Sequence, residues 1–194
     1  MSFHRLFFLC YSDLYRYSGI TTLRSFLKNI MLNPGYKYSF FLRLTAYLSQ
    51  TKFNPFFLIS YFILRHYRYK YGIEISHKTV IGSGLYISHF SGIIVNHSTI
   101  IGENCTVCQG VTIGYSNRGK NKGTPIIGDN VYIGPGAKVF GGINIGNNVA
   151  IGANCVVTKD IPDNAVVVGV PGKVISYKGS EGYSNFTDYK KKDY

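Results

Sequence analysis

Three histidines and one carboxylate are the groups in this chain best suited to moving a proton: His77, His89, His97 and Glu74. An imidazole exchanges a proton near neutral pH, and a nearby carboxylate fixes its tautomer and stabilises the imidazolium. His89 sits in Gly84-Leu-Tyr-Ile-Ser-His-Phe-Ser-Gly92, a stretch with no other titratable side chain apart from Tyr86. Glu74 precedes it by 15 residues, so the two meet only if the chain returns on itself with a period a little longer than that. Cys105 and Cys108 form a C-x-x-C pair, with Cys10 and Cys155 elsewhere. No second pair completes a zinc site. The cysteines read as small buried hydrophobes in a reducing compartment.

The elements that must position His89 are written as sixes. Ile127, Ile133, Val139, Ile145, Ile151 and Val157 are each six residues apart, and IGSGLY, IGENCT, VCQGVT, IGDNVY, IGPGAK, IGNNVA and IGANCV share one pattern. An internal repeat takes precedence over other sequence signals. Six residues make one short strand and one corner, and three sixes close a triangular coil of about eighteen residues, the period of a left-handed parallel β-helix. The fold class predicted is therefore mainly β, a left-handed parallel β-helix with an α-helical N-terminal region. The first position of each six points inward. The fourth is Gly or Asn (Gly84, Asn104, Asn130, Gly136, Asn148, Asn154), residue types that tolerate positive φ at a corner. The fifth is small or β-branched (Cys105, Val131, Ala137, Val149, Cys155), as a narrow interior requires. The phase slips by two residues around Asn96-His97-Ser98, and a polar loop, Tyr115 to Pro125, interrupts the repeat. Loops thrown out of a rigid scaffold are frequent sites of function.

Charge divides the chain. Residues 1–72 carry ten Lys or Arg and a single acid, Asp13, a net of +9; the remaining 122 residues carry only +3. The basic residues lie among Phe, Tyr, Leu and Ile, which suits a membrane surface or an apolar helix interface, and no nucleic-acid motif is present. Ser12 or Asp13 is expected to cap a short helix. Thr22 to Leu32 has helical apolar spacing and is stopped by Asn33-Pro34-Gly35; Tyr36 to Leu48 resumes a helix, Thr51 to Asn54 breaks it, and Pro55 starts the next. Residues 55–71 are apolar and then basic, too short to span a bilayer but suited to packing on another subunit or lying on a membrane. The first ten residues make a poor signal peptide, so the expected location is cytoplasmic, with peripheral contact on the inner face of the membrane through residues 55–71. The domains read as a helical, basic and aromatic region over 1–72, a β-helix over 73–176 and a flexible tail over 177–194.

Residues 73–176 resemble the hexapeptide-repeat acyltransferases, and within them the serine O-acetyltransferase family. The matching segments are IEISHKTVIGSGLYISHFSGIIV, VCQGVTIG, the run from Gly123 to Pro162, and VVVGVPGKVI. The resemblance implies a trimer with active sites between subunits, with a dimer of trimers through the N-terminal helices as a further assembly. It implies acetyl-CoA as co-substrate and no metal. It places the catalytic histidine on His89 and the supporting carboxylate on Glu74, where serine-specific members usually carry Asp. Coenzyme A would run along Gly114, Gly134, Pro135, Ala153 and Lys159. The acceptor would meet Ser88, Gln109, Arg118 and Thr124.

The departures from the family bear on the acceptor. Serine-specific members carry an acid where Ser88 stands, and Arg-His where Gly123-Thr124 precedes Pro125. The chain ends Lys192-Asp193-Tyr194 rather than in the terminal Ile of cysteine-biosynthesis members. The aromatic N-terminal region is similar to that of acetyltransferases of capsule, O-antigen or exopolysaccharide assembly. The reading is therefore O-acetylation of a saccharide hydroxyl, with free L-serine as the alternative acceptor. A zinc lyase of the γ-carbonic-anhydrase kind is a remote alternative, because His77, His89 and His97 lack that family's close pair. A non-catalytic scaffold is another.

Overall fold

The computed structural model describes residues 1–50 and 54–191. Four helices precede a stack of short strands: α1 (Phe3–Ser18), α2 (Leu23–Leu32), α3 (Pro34–Leu48) and α4 (Pro55–Tyr71). The first three turns of the stack are β1 (Ile73–Ile75), β2 (Val80–Ile81), β3 (Tyr86–Ile87); β4 (Ile93–Val95), β5 (Ile100–Ile101), β6 (Thr106–Val107); and β7 (Thr112–Gly114), β8 (Ile126–Ile127), β9 (Tyr132–Ile133). The rest is β10 (Lys138–Phe140), β11 (Asn144–Ile145), β12 (Ala150–Ile151), β13 (Val156–Val157), β14 (Val166–Val168) and β15 (Lys173–Ser176). Three sheets form the sides of a prism: A is β1-β4-β7-β10-β13, B is β2-β5-β8-β11, and C is β3-β6-β9-β12-β14-β15. All pairings are parallel except β14 with β15. The architecture is a three-sided parallel β-helix of about five turns, as the repeat predicts.

The interior matches the pattern position by position. Ile127, Ile133, Val139, Ile145, Ile151 and Val157 are buried, as are Cys105, Val131, Ala137, Val149 and Cys155. The six fourth-position residues all have positive φ. One column of them is also a side-chain ladder: Asn104 donates to Asn130, Asn130 to Asn148 and Asn148 to Asn164, at 2.9, 2.9 and 3.1 Å. Each amide satisfies the next, so the corner is hydrogen-bonded along the stack.

The phase slip falls elsewhere than expected. Ile87 pairs with Val107 and Val95 with Ile113, so eight residues separate the inward positions of the upper coil where six suffice below. The two extra residues lie in the corner 88–92, which carries His89, not at 96–98. Ile93 hid the slip because it too is fully buried and falls on the old phase.

The helices seal the open edge of the first coil. Strands β1, β2 and β3 each end a sheet, leaving backbone groups with no neighbouring coil. Tyr38 in α3 donates to the Ile75 carbonyl and accepts from its N–H. Arg43 donates to the Ile81 and Gly82 carbonyls. Ser12 accepts from the Gly84 N–H, Arg16 donates to the Gly84 carbonyl, and Asp13 accepts from the Leu85 N–H. Tyr17 brackets both polar groups of Ile87. Asp13 and Arg43 are themselves a buried bidentate pair, 3.0 and 3.1 Å.

This corrects two local expectations. Ser12 and Asp13 do not cap a helix; α1 begins ten residues earlier with Ser2 as its cap, and they face inward from its middle. α2 stops at Leu32 as expected, but the next helix starts at Pro34 rather than Tyr36, so Gly35 sits in the first turn of α3, where a Cβ would collide with the Ile87 carbonyl. The expected break at 51–54 lies largely outside the described residues.

The expected flexible tail is also not what the structure shows, as far as Lys191. From Gly179 it runs back along sheet C toward α1. Tyr183 packs on Tyr132, Ser184 bonds Thr106, and the Asn185 carbonyl accepts from Arg16. Tyr189 is fully buried against Phe8 and Tyr15 and donates to Ser83 at 3.0 Å. Polar composition suggested mobility, yet Tyr183, Phe186 and Tyr189 supply aromatic anchors on Tyr132 and Tyr15.

Candidate active site

His89 stands on the edge of the prism between sheets C and A. The corner that bears it is pinned at both ends: the Ser88 N–H donates to Val107, the Gly110 N–H to the Ser91 carbonyl, and the Ile93 N–H to Gly72. Between those points His89 and Phe90 are exposed, and Phe90 packs on Tyr71 at the end of α4, ring centroids 5.6 Å apart. Ser91 has φ of +90°, an uncommon conformation for a residue with a Cβ. The two extra residues thus push an imidazole out of a rigid corner into solvent.

The coil below floors this corner. Lys138 donates to the Gly110 carbonyl at 2.6 Å and to Thr112 at 3.0 Å, holding the next corner down. Gln109 has a buried side-chain oxygen without a hydrogen-bond partner in the free chain. Cys108 contacts Tyr132 at 3.7 Å. Burial pushes the Cys108 thiol up despite that contact, and pushes Cys10 and Cys105 up to about 12.

The expected site residues fall in three places. Ser88, His89, Gln109, Gly134, Pro135 and Ala153 share the C–A edge, in successive corners. Gly114, Arg118, Thr124 and Lys159 belong to the A–B edge, where the 115–125 loop leaves the stack. Glu74 lies on sheet A itself. The loop is a tied hairpin: Ser116 and Gly123 exchange backbone bonds, Asn121 donates to the Thr158 carbonyl, and Thr124 donates to the Ser98 carbonyl. Arg118 and Lys120 line a hollow of about 340 Å³ beneath it. The two edges stand on opposite sides of sheet A, whose strands of three residues span about 10 Å. Within one subunit the loop and His89 are therefore separated by that face.

Glu74 is not hydrogen-bonded to His89. Its carboxylate forms an ion pair with Arg68 of α4, both half-exposed. The first coil takes 20 residues rather than eighteen, as the pairing of Ile73 with Ile93 shows, so Glu74 lies beside Ile94. The pair borders a groove of about 690 Å³ between α4 and sheet A, which also reaches His77, His97, Thr112, Gly114 and Phe140. Burial against Phe57 and Tyr61, then Lys78, lowers the His77 pKa. Lys138 and Tyr17, which hold the coils around His89, had no signature in the sequence; an outward strand position and a tyrosine in the last turn of a helix resemble ordinary surface and core.

Comparison with known proteins fits this arrangement. Residues 124–159 match the bacterial transferase hexapeptide (six repeats) model, and residues 91–115 match the hexapeptide repeat of succinyl-transferase. Serine acetyltransferase of Staphylococcus aureus is 45% identical over 112 residues, 58% of this chain and 53% of that protein. The structure of Neisseria gonorrhoeae serine acetyltransferase in complex with serine superposes with a TM-score of 0.74 at 28% identity, covering 90% of this chain and 71% of that one. The chain carries transferase hexapeptide repeats and is similar in sequence and fold to the serine acetyltransferases. A serine acetyltransferase in complex with CoA gives a TM-score of 0.72 at 25% identity, covering 89% of this chain and 71% of that one. The chain spans about half the length of the curated relative it matches. The named relatives carry serine in their names, so the serine alternative, and not the saccharide reading, is carried forward.

Proposed function

We propose that the chain is an acetyl-CoA-dependent O-acetyltransferase whose acceptor is L-serine. The observation that carries this is His89, exposed on a two-residue bulge of a coil whose sequence and fold are those of serine acetyltransferases. The His89 imidazole takes the proton of the acceptor hydroxyl. The oxygen attacks the thioester carbonyl, the C–S bond breaks, and the departing CoA sulfur receives the proton from the imidazolium. Glu74 would orient His89 once acceptor binding frees it from Arg68.

Coenzyme A would lie along the C–A edge past Gly134, Pro135 and Ala153, small residues in successive corners, of which Ala153 is exposed and Pro135 half-buried. Lys159 and Arg118 are exposed on the A–B edge and would serve a neighbouring subunit's site. A trimer would bring one subunit's His89 edge to another's loop edge. Val80, Ile100 and Ile126, stacked in register and exposed on sheet B, are apolar surface suited to such contact.

The test is CoA release from acetyl-CoA by the purified chain, with L-serine in one reaction and a capsule-type oligosaccharide mixture in another. Release with serine supports the proposal. Ser88 and Thr124, both uncharged, the latter bound to the Ser98 carbonyl, offer a serine zwitterion little charge, so a high KM is expected. Release with saccharide alone would overturn the serine assignment and restore the saccharide reading.

A further inference from the structure

We infer that α2 is a docking face for an anionic membrane surface. The helix is inverted relative to an ordinary surface helix. Its buried residues are Ser25 and Asn29, both polar. Ser25 bonds Ser18 and the Ile20 carbonyl, and Asn29 donates back to the Ser25 carbonyl. Its outer face carries Leu23, Leu27 and Met31, spaced by four, with Leu32 beside them; Leu23, Met31 and Leu32 are 74%, 70% and 73% exposed. Arg24 and Lys28 are exposed next to that stripe. An apolar stripe flanked by cations is the pattern of a helix lying in a membrane interface.

Charge decides between the two occupants such a face could have. A second copy docked face to face would set Arg24 and Lys28 against their equivalents. No exposed acid in the helical region could neutralise them, because Asp13 is the one acid of residues 1–72 and is buried on Arg43. An anionic lipid surface supplies that charge and also accepts the leucines. An apolar hollow of about 220 Å³ opens between α1 and α2 beside Leu23, lined by Phe7 and Phe26. Elsewhere in the helical region, the first half of α4 exposes Phe56, Ile59 and Phe62 ahead of Arg65. Among the described residues no helix is long and apolar enough to cross a membrane, so the contact lies at the surface. It moves the membrane contact expected at residues 55–71 chiefly onto α2, and it does not depend on the acceptor.

The experiment is co-sedimentation of the full chain with vesicles of phosphatidylcholine, with and without phosphatidylglycerol. Binding is expected only when phosphatidylglycerol is present. Arg24→Gln/Lys28→Gln should weaken it about 25-fold, fivefold for each cation. Leu27→Gln/Met31→Gln should abolish it, with far-ultraviolet circular dichroism and the mass by sedimentation velocity unchanged. Failure to bind phosphatidylglycerol vesicles would overturn the inference. So would equal binding to phosphatidylcholine alone, or a fall in assembly mass in the leucine and methionine variant, which would make a second copy the occupant.

Discussion

Inside the stack, an edge N–H or carbonyl meets the next coil; at the first coil it meets a side chain. The coils satisfy one another by repetition, through parallel ladders and the Asn104–Asn164 column. The helices satisfy the first coil through single residues, each matched to one position: Tyr38 to Ile75, Arg43 to Ile81, Asp13 to Leu85, Tyr17 to Ile87. Repetition spreads stability over many equivalent bonds, whereas the cap concentrates it in a few buried polar groups. His89 lies two residues beyond the last of those contacts, so the cap also fixes the coil that carries the imidazole.

The comparison breaks most visibly at Asp13. Asp13→Ala leaves Arg43 charged, buried and unpaired and strands the Leu85 N–H; loss of one member of a buried pair costs about 3–5 kcal/mol. The urea midpoint should fall accordingly. Tyr17→Phe and Tyr38→Phe each remove a hydroxyl that serves both a donor and an acceptor, for about 1–3 kcal/mol each by the same measurement. They sharpen the comparison further: Tyr17→Phe should lower kcat because Ile87 leads directly into the His89 corner. In the ladder, Asn130→Ala should cost about 1–2 kcal/mol, since it loses two bonds and holds a φ of +57°; Asn130→Gly should cost less, because the conformation is free.

The smallest effect is pH dependence from His77. Its folded pKa lies below the ordinary value, so the fold prefers the neutral ring. The stability it contributes is full above about pH 6.5 and declines as pH falls through that value, where the unfolded chain takes up the proton first. His77→Gln should flatten the stability profile between about pH 7 and 5.

What the sequence made legible follows the same division. The coils were readable because Ile, Gly and Asn recur with a fixed period, and one short segment predicts the next. The corner holding His89 was readable in identity but not in register: Ile93, buried on the unbroken phase, concealed the two inserted residues. The cap was unreadable. Ser12, Asp13 and Arg16 occupy helical positions whose partners lie about 70 residues or more away, and no local pattern records such a contact. Glu74, expected from the sequence to support His89, has Arg68 as its counter-ion in the free chain, an interaction set by how α4 enters the first coil.

The central claim is that His89 removes the acceptor proton. Its most direct test is the rate of CoA release with saturating L-serine for the full chain and for His89→Ala, with the urea midpoint of each measured alongside. The account predicts a fall in kcat of about 10²–10⁴ with an unchanged midpoint, since the His89 side chain is exposed. A variant that turns over within twofold of the parent would contradict it.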